Sequence, residues 1–301
     1  MNSEGRGRLE AALQNVGQLP TLPLVYSRLQ KVLADPRVSA RQVSTVIEQD
    51  QSLVSKMLRI VNSVYYSFPR KISTVSQAVV ILGFNEVKHL ALSISILNAF
   101  DKSPDNTGFD QVEFWRHCLG VAICSGLLAK KAGAAKCGSH EEAFVAGLLH
   151  DIGKLVEHQY MHQLFQAVLQ KRQAEDLLLY DAEKSCLGFT HEETGEYLIE
   201  SWKLPLPLVA VTGFHHTPLT KKSNTSLFSL ISIIHIADII VRSLGLGSGG
   251  DPFVPPLNIE CWKQIGLEVD SLENITLETE QSFKEMVHFL IPEQQKKDAK
   301  L

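Results

Sequence analysis

Apolar residues recur at three- and four-residue intervals along nearly the whole chain, and strict two-residue alternation is scarce. The stretch from Leu22 to Leu33 has helical spacing behind its entry prolines, and Asp35-Pro36 breaks it. Ser39 suits the N-cap of a helix over ARQVSTVIEQ, and Asp50 that of one over QSLVSKMLRIVNS. Residues 73–100 read as a helical pair punctuated by Gly83. A second helical set covers 112–132, 141–170, 174–187, 191–202, 206–214 and 226–244, and a further helical pair runs to about Leu290. SPDNTG (103–108) is polar and turn-rich, GLGSGGDPFVPP (245–256) is a loop by composition, and PEQQKKDAKL reads as a frayed end. The pattern predicts an all-α fold: an N-terminal helical subdomain over 1–102 packed on a larger helical domain over 109–245, with a C-terminal helical extension over 257–301. No repeat of fixed period is present.

Two segments carry polar residues where this pattern demands core. Between Leu227 and Val241 the helix is apolar on every side, which marks it as buried. Asp238 sits in its middle, where no free backbone N–H can reach it. Its carboxyl must be neutral, paired with Arg or Lys, or bound to a cation. GLLHDIGKL (147–155) repeats the anomaly. Its His150, Asp151 and Lys154 stand three and four residues apart, which places their heads on one helical face.

Further histidines occupy positions suited to ligands. His117 interrupts the apolar FWRHCLGVA. Thr190-His-Glu-Glu forms a capping box that places His191 in a first helical turn. His215 and His216 end a helix before Pro218. A single buried histidine is ordinarily a satisfied core residue, but the set His117, His150, Asp151, His191, His215, His216 and Asp238 is another matter. Its imidazoles and carboxylates, with no thiolate required, suit divalent Fe, Mn, Zn or Ni, iron foremost. Seven ligands exceed what one tetrahedral ion takes, and two ions sharing a carboxylate use them all. His89, His140 and His288 read as peripheral, and His158, His162 and His235 as supporting or structural.

Composition narrows the class without naming a function. At 45% hydrophobic and 21% charged residues, the chain is of ordinary globular type. Its N-terminus lacks a secretory h-region, and the longest apolar run, SLFSLISIIHIADIIV, falls short of the ~20 residues that span a bilayer. Five cysteines without a CxxC pair fit reduced thiols and a cytoplasmic location. Residues 1–100 carry 11 Lys and Arg against 6 Asp and Glu, whereas the rest of the chain is acidic, which hints that the N-terminal part meets partners. SARQVSTVIEQDQSLVSKMLRIVNS has the cadence of a helix-turn-helix, yet its cations are few. Nucleic acid is therefore not the expected partner; another signalling protein docked on this subdomain is.

The order H…HD…H…HH…D resembles the HD superfamily of metal-dependent phosphohydrolases, and its ligand order looks most like the HD-GYP branch. From Leu19 to about Leu244 the chain also resembles HDOD proteins, the HD-related output domains of bacterial signalling, through LPTLPLVYSRL, the NSVYY segment and the AVVILG segment. The resemblance implies an HD-type helical domain with one metal held by His117, His150, Asp151 and Asp238. It implies a second held by His191, His215 and His216 with Asp151 as bridge, and a water between the two as nucleophile. Asp151 and Lys154 are then the catalytic candidates, Lys154 touching a phosphate oxygen or the leaving group of a phosphoester or nucleotide. The segment after His216 runs Thr-Pro-Leu-Thr-Lys-Lys, without the Asp-Gly-x-Gly-Tyr-Pro of the HD-GYP branch, so the resemblance does not extend to cyclic-dinucleotide hydrolysis. Hydrolysis competes with two alternatives: a non-catalytic, metal-stabilised interaction module, and a di-iron centre that activates oxygen.

Overall fold

Local capping signals place half of the described helix starts. The structure, a computed structural model, describes residues 3–14, 19–100, 108–133 and 138–291. The first helix, α1 (Ser3–Gln14), lies in a segment whose polar composition gave no helical signal. After Pro23 comes α2 (Leu24–Leu33). Ser39 and Gln42 close a capping box on α3 (Ala40–Ile47), and the Asp50 carboxylate accepts the Leu53 N–H to start α4 (Gln51–Val61). Thr74 caps α5 (Val75–Leu82). Gly83, at φ +87°, then turns the chain into α6 (Phe84–Ala99) in a conformation costly for any other residue.

Asp110 caps α7 (Gln111–Ala132), the long central helix, which is buried along most of its length. The stretch 141–170, expected as one helix, is three: α8 (His140–Leu149), α9 (Ile152–Tyr160) and α10 (His162–Glu175). The first break falls on His150 and Asp151. The expected helix over 174–187 is shorter, α11 (Leu179–Cys186), because Asp176 adopts a left-handed conformation that ends α10. Then follow α12 (His191–Ser201), with both halves of the Thr190–Glu193 capping box in place, and α13 (Leu206–Phe214). A short 3₁₀ turn (Pro218–Lys221) leads to α14 (Thr225–Ser243), and α15 (Ile259–Ile265) and α16 (Ser271–Leu290) complete the order. Among the described residues there is no strand. Most of the expected boundary at 103–108, and the end from 292, lie outside the described residues.

The core forms around α7, against which α8, α14 and α16 pack; α6 lies against α8 and links it to α2, α4 and α5. Glycines set the closest approaches. A Cβ on Gly147 would lie 2.8 Å from the Ala122 backbone, joining α8 to α7, and one on Gly120 would lie 2.8 Å from Val241, joining α7 to α14. Helices α7 and α14 are long and apolar enough by length and composition to cross a bilayer, more than the bare apolar run suggested. However, 83% and 67% of their apolar windows are packed inside the protein. Their hydrophobicity is that of core helices.

Gly153 on α9 makes the tightest of these contacts: a Cβ there would lie 2.0 Å from the His191 carbonyl oxygen and 2.8 Å from the Gly195 nitrogen. Gly153→Ala is expected to destabilise the protein by ~1–3 kcal/mol in denaturant unfolding, because the α9–α12 backbones must part. Gly7→Ala, where the added atom meets nothing within 4 Å, should keep or gain stability. Equal effects would contradict this packing.

Candidate metal centre

Six helices deliver the seven expected residues to one buried point. His117 comes from the second turn of α7. His150 and Asp151 occupy the break between α8 and α9, not a continuous helix as the apolar pattern suggested. His191 is the first residue of α12, His215 and His216 follow the last turn of α13, and Asp238 lies within α14. All are buried except His216, which is half-buried. The ligand-type atoms of Asp151, His191, His215 and His216 lie within 4.8 Å of one another, and so do those of His117, His150 and Asp238.

Asp151 stands between the two groups. Its Oδ2 is 3.3 Å from His150 Nε2 and 3.6 Å from His117 Nε2. Its Oδ1 is 3.2 Å from His191 Nε2 and 3.3 Å from His215 Nε2. His117 Nε2 also lies 3.1 Å from Asp238 Oδ1, and His216 Nε2 lies 3.1 Å from His191 Nε2. Atoms bound to one ion at ~2.1 Å stand roughly 3.0–3.4 Å apart, so these separations match those of donors gathered on a common centre.

Directions agree with distances. His117 Nε2, His150 Nε2, His215 Nε2 and Asp151 Oδ1 are buried and make no hydrogen bond, although oppositely polar atoms stand within 3.6 Å. They crowd one small space without pairing. Leaving several such atoms unmet costs about 1–3 kcal/mol each, and a cation would satisfy them together. The far side of three of the rings is fixed. His150 Nδ1 is 2.7 Å from the Gly147 carbonyl, His215 Nδ1 is 3.2 Å from the Val211 carbonyl, and His191 Nδ1 is 2.6 Å from Glu183 Oε2. A proton held on Nδ1 leaves the Nε2 lone pair facing inward, as a metal ligand requires. Burial lowers His117, takes His215 down to about 3 and holds His216 well below the ordinary range, so these rings carry free lone pairs. Burial also opposes charge on His191, but Glu183 and Asp151 raise it to about 10. An ion entering there must expel a proton.

Both carboxylates have basic partners, so of the states the sequence leaves open to Asp238 the pair with an arginine is present, and Asp151 meets a lysine in the same way. Lys154 Nζ lies 2.6 Å from Asp151 Oδ2 and also donates to the Gly249 carbonyl at 2.9 Å. Arg242, one turn beyond Asp238, places Nε 2.9 Å from Asp238 Oδ1, and its Nη1 reaches Asp251 Oδ1 at 3.0 Å and the Phe253 carbonyl at 3.2 Å. Burial pushes both carboxyls up. It is outweighed by His150 and Lys154 at Asp151 and by Arg242 and His117 at Asp238, and both stay well below the usual range. Neutralisation alone therefore does not require a metal. The inward-facing imidazole nitrogens are what remain unexplained without one.

Several residues of the site carried no clear sequence signal. Glu183 on α11 accepts both the ring N–H and the backbone N–H of His191, the latter at 2.9 Å. Glu192 accepts the His216 N–H at 2.6 Å, and burial lifts its carboxyl to about 8. Glu157 accepts a bond from the Thr194 hydroxyl at 2.8 Å, and burial beside Glu183 pushes it well above the carboxylate range. The Gly249–Phe253 loop, expected only as a connector, holds Lys154 and Arg242 in place. His235 is structural: its Nδ1 donates to the His215 carbonyl at 2.9 Å and its Nε2 accepts the Asn258 N–H at 3.1 Å. His158 packs against Phe109 and Phe165, while His162 and His288 are exposed. Beside the centre a cavity of about 220 Å³ is walled by His191, His216, Lys154, Arg242, Tyr180 and Pro255. That is room for a phosphate-sized group, below the ~300 Å³ at which pockets for larger ligands begin.

A family model for the HDOD domain matches residues 19–218. An HDOD domain protein of unknown function from Geobacter sulfurreducens is 26% identical and superposes with a TM-score of 0.75, over 95% of this chain and 97% of that one. A suspected phosphohydrolase from Shewanella amazonensis, also 26% identical, superposes with a TM-score of 0.68 over 93% and 98%. An uncharacterised protein of Treponema pallidum is 25% identical over 233 residues, 76% of this chain but 43% of its own. The chain thus spans less than half the length of that curated relative.

Glu183→Gln keeps the size of the side chain but removes the charge behind His191. It is expected to weaken binding of a divalent ion roughly 10- to 100-fold in a competition titration with a chelator dye, with the helical circular dichroism unchanged. Unaltered affinity would contradict the assignment of Glu183 as the group that orients His191.

Proposed function

The chain belongs to the HDOD family, and from that membership we propose that it is a signalling protein built round a binuclear metal centre that hydrolyses a phosphoester. In this reading one divalent ion, iron foremost with Mn, Zn or Ni as alternatives, is held by His117, His150, Asp151 and Asp238. The other is held by Asp151, His191, His215 and His216. The observation that carries the reading is the position of Asp151, whose two oxygens face different sets of imidazole nitrogens, those of His117, His150 and His215 without a hydrogen bond. The likeness to a suspected phosphohydrolase supports it.

Bound ions would supply Lewis acidity and a water activated near neutral pH. The chain's own residues do the rest. Lys154, donating to Asp151 Oδ2, fixes the direction in which the carboxylate presents its two oxygens. Lys154 and Arg242 bring positive charge to the wall of the phosphate-sized cavity, where an anionic group would bind. The half-buried His216 and Tyr180 form the side from which that group would enter. Among the described residues the four cysteines are unbridged, which suits work in the cytoplasm, and the N-terminal subdomain is the surface for a signalling partner.

A second reading is favoured by one observation. Five of the seven centre residues are 0–1% exposed and Asp238 is 2% exposed, while the Gly249–Phe253 loop lies across Lys154 and Arg242. A centre so enclosed also fits a non-catalytic output module in which the ions hold the helices together.

Turnover separates the two. Protein loaded with Mn²⁺ or Fe²⁺ is expected to hydrolyse a small chromogenic phosphoester, and His150→Ala or Asp151→Ala, with the fold intact, should lower that rate at least roughly a hundredfold. Loaded protein that turns over neither this probe nor a nucleotide would exclude the hydrolase reading and leave the output module.

A further inference from the structure

Asp151 stands between the two groups of donors, with Lys154 on its Oδ2 and at the cavity wall beside His191 and His216; beyond these two residues the surroundings of the groups differ in sign. Behind His191 stands the buried Glu183, 2.6 Å from Nδ1, which adds negative charge to the group formed with Asp151, His215 and His216. The other group has no such support. His150 Nδ1 ends on a backbone carbonyl, and His117 Nδ1 is buried without a hydrogen bond. Its one carboxylate of its own, Asp238, already holds a cation: Arg242 Nε at 2.9 Å, with only 6% of that side chain exposed. Arg242 is in turn fastened by Asp251 and the Phe253 carbonyl, so it cannot swing into solvent without undoing the loop.

We propose that Arg242 makes the two ion positions unequal. The position built from Asp151, His191, His215 and His216 takes a divalent ion first and tightly. The position built from His117, His150 and Asp238 fills only at higher metal concentration, because Arg242 is its resident cation. Two like charges a few ångströms apart in a poorly hydrated interior repel strongly, enough to separate the affinities by about tenfold or more. The inference rests on the binuclear reading and adds to it an order of filling and the residue that sets it.

The test is a titration of the metal-stripped full chain with Mn²⁺, followed by calorimetry and by electron paramagnetic resonance. In the unaltered protein one equivalent should bind tightly with the six-line signal of an isolated ion. A second should need about tenfold more free Mn²⁺ or higher, and should replace that signal with a coupled one. His117→Ala should keep the tight equivalent and lose the weak one, whereas His216→Ala should lose the tight one. Arg242→Gln should narrow the gap between the two affinities, and Arg242→Lys should preserve it. If Arg242→Gln does not fold, the two histidine variants still decide the order. Two equal affinities in the unaltered protein, loss of the tight equivalent in His117→Ala, or an unchanged gap in folded Arg242→Gln would each overturn the role of Arg242 and leave the binuclear reading standing. No Mn²⁺ uptake at all would overturn both.

Discussion

One buried carboxylate governs the arrangement. Asp151 is 0% exposed, yet imidazoles from α7, α12 and the end of α13, and its neighbour His150, all aim at its two oxygens. A carboxylate taken out of water survives as an anion only where charge and hydrogen bonds replace its hydration. Here the replacement is over-provided: a lysine and four ring nitrogens crowd a group with about four acceptor positions. The excess donors facing a shared space separate this site from an ordinary buried ion pair.

The fold can be understood as the means of holding those donors. His191 sits at a helix start, His215 and His216 follow a helix end, and His150 and Asp151 occupy a helix break. At such places side chains leave the regular helical direction, so several helices can point residues at one centre. The glycines keep the frame tight. Gly147 and Gly120 bring α8 and α14 onto α7, and Gly153 and Gly195 let α9 and α12 meet backbone to backbone. Rings fixed by carbonyls and by Glu183 then need little reorganisation to serve as ligands, which is the usual advantage of a well-supported metal site.

Much of this was legible in the sequence because its signals are local. Ser39, Asp50 and the Thr190–Glu193 box mark helix starts through hydrogen bonds within one turn, and the structure places all three there. The all-α class follows from periodicity alone. The break at His150–Asp151 was not legible, since the apolar pattern runs straight through it and only the converging helices impose it. Glu183 was beyond reach for a similar reason: it meets His191 through the packing of α11 beside α12, which no spacing rule encodes. Arg242 is different. It stands four residues after Asp238 on the same helix, a spacing that brings side chains together, so this counter-ion is legible in the sequence. The Gly249–Phe253 loop shows the limit of composition, which identifies a turn-rich segment but not that its carbonyls end on buried cations.

The central claim is that Asp151 bridges two metal ions. Anomalous X-ray diffraction from crystals saturated with Mn²⁺ or Fe²⁺, recorded on either side of the metal's absorption edge, tests it most directly. Two peaks are expected to flank the Asp151 carboxylate, one beside His117 and His150 and the other beside His191 and His216. Saturated crystals with no peak at the carboxylate, or with metal only at sites remote from it, would contradict the account.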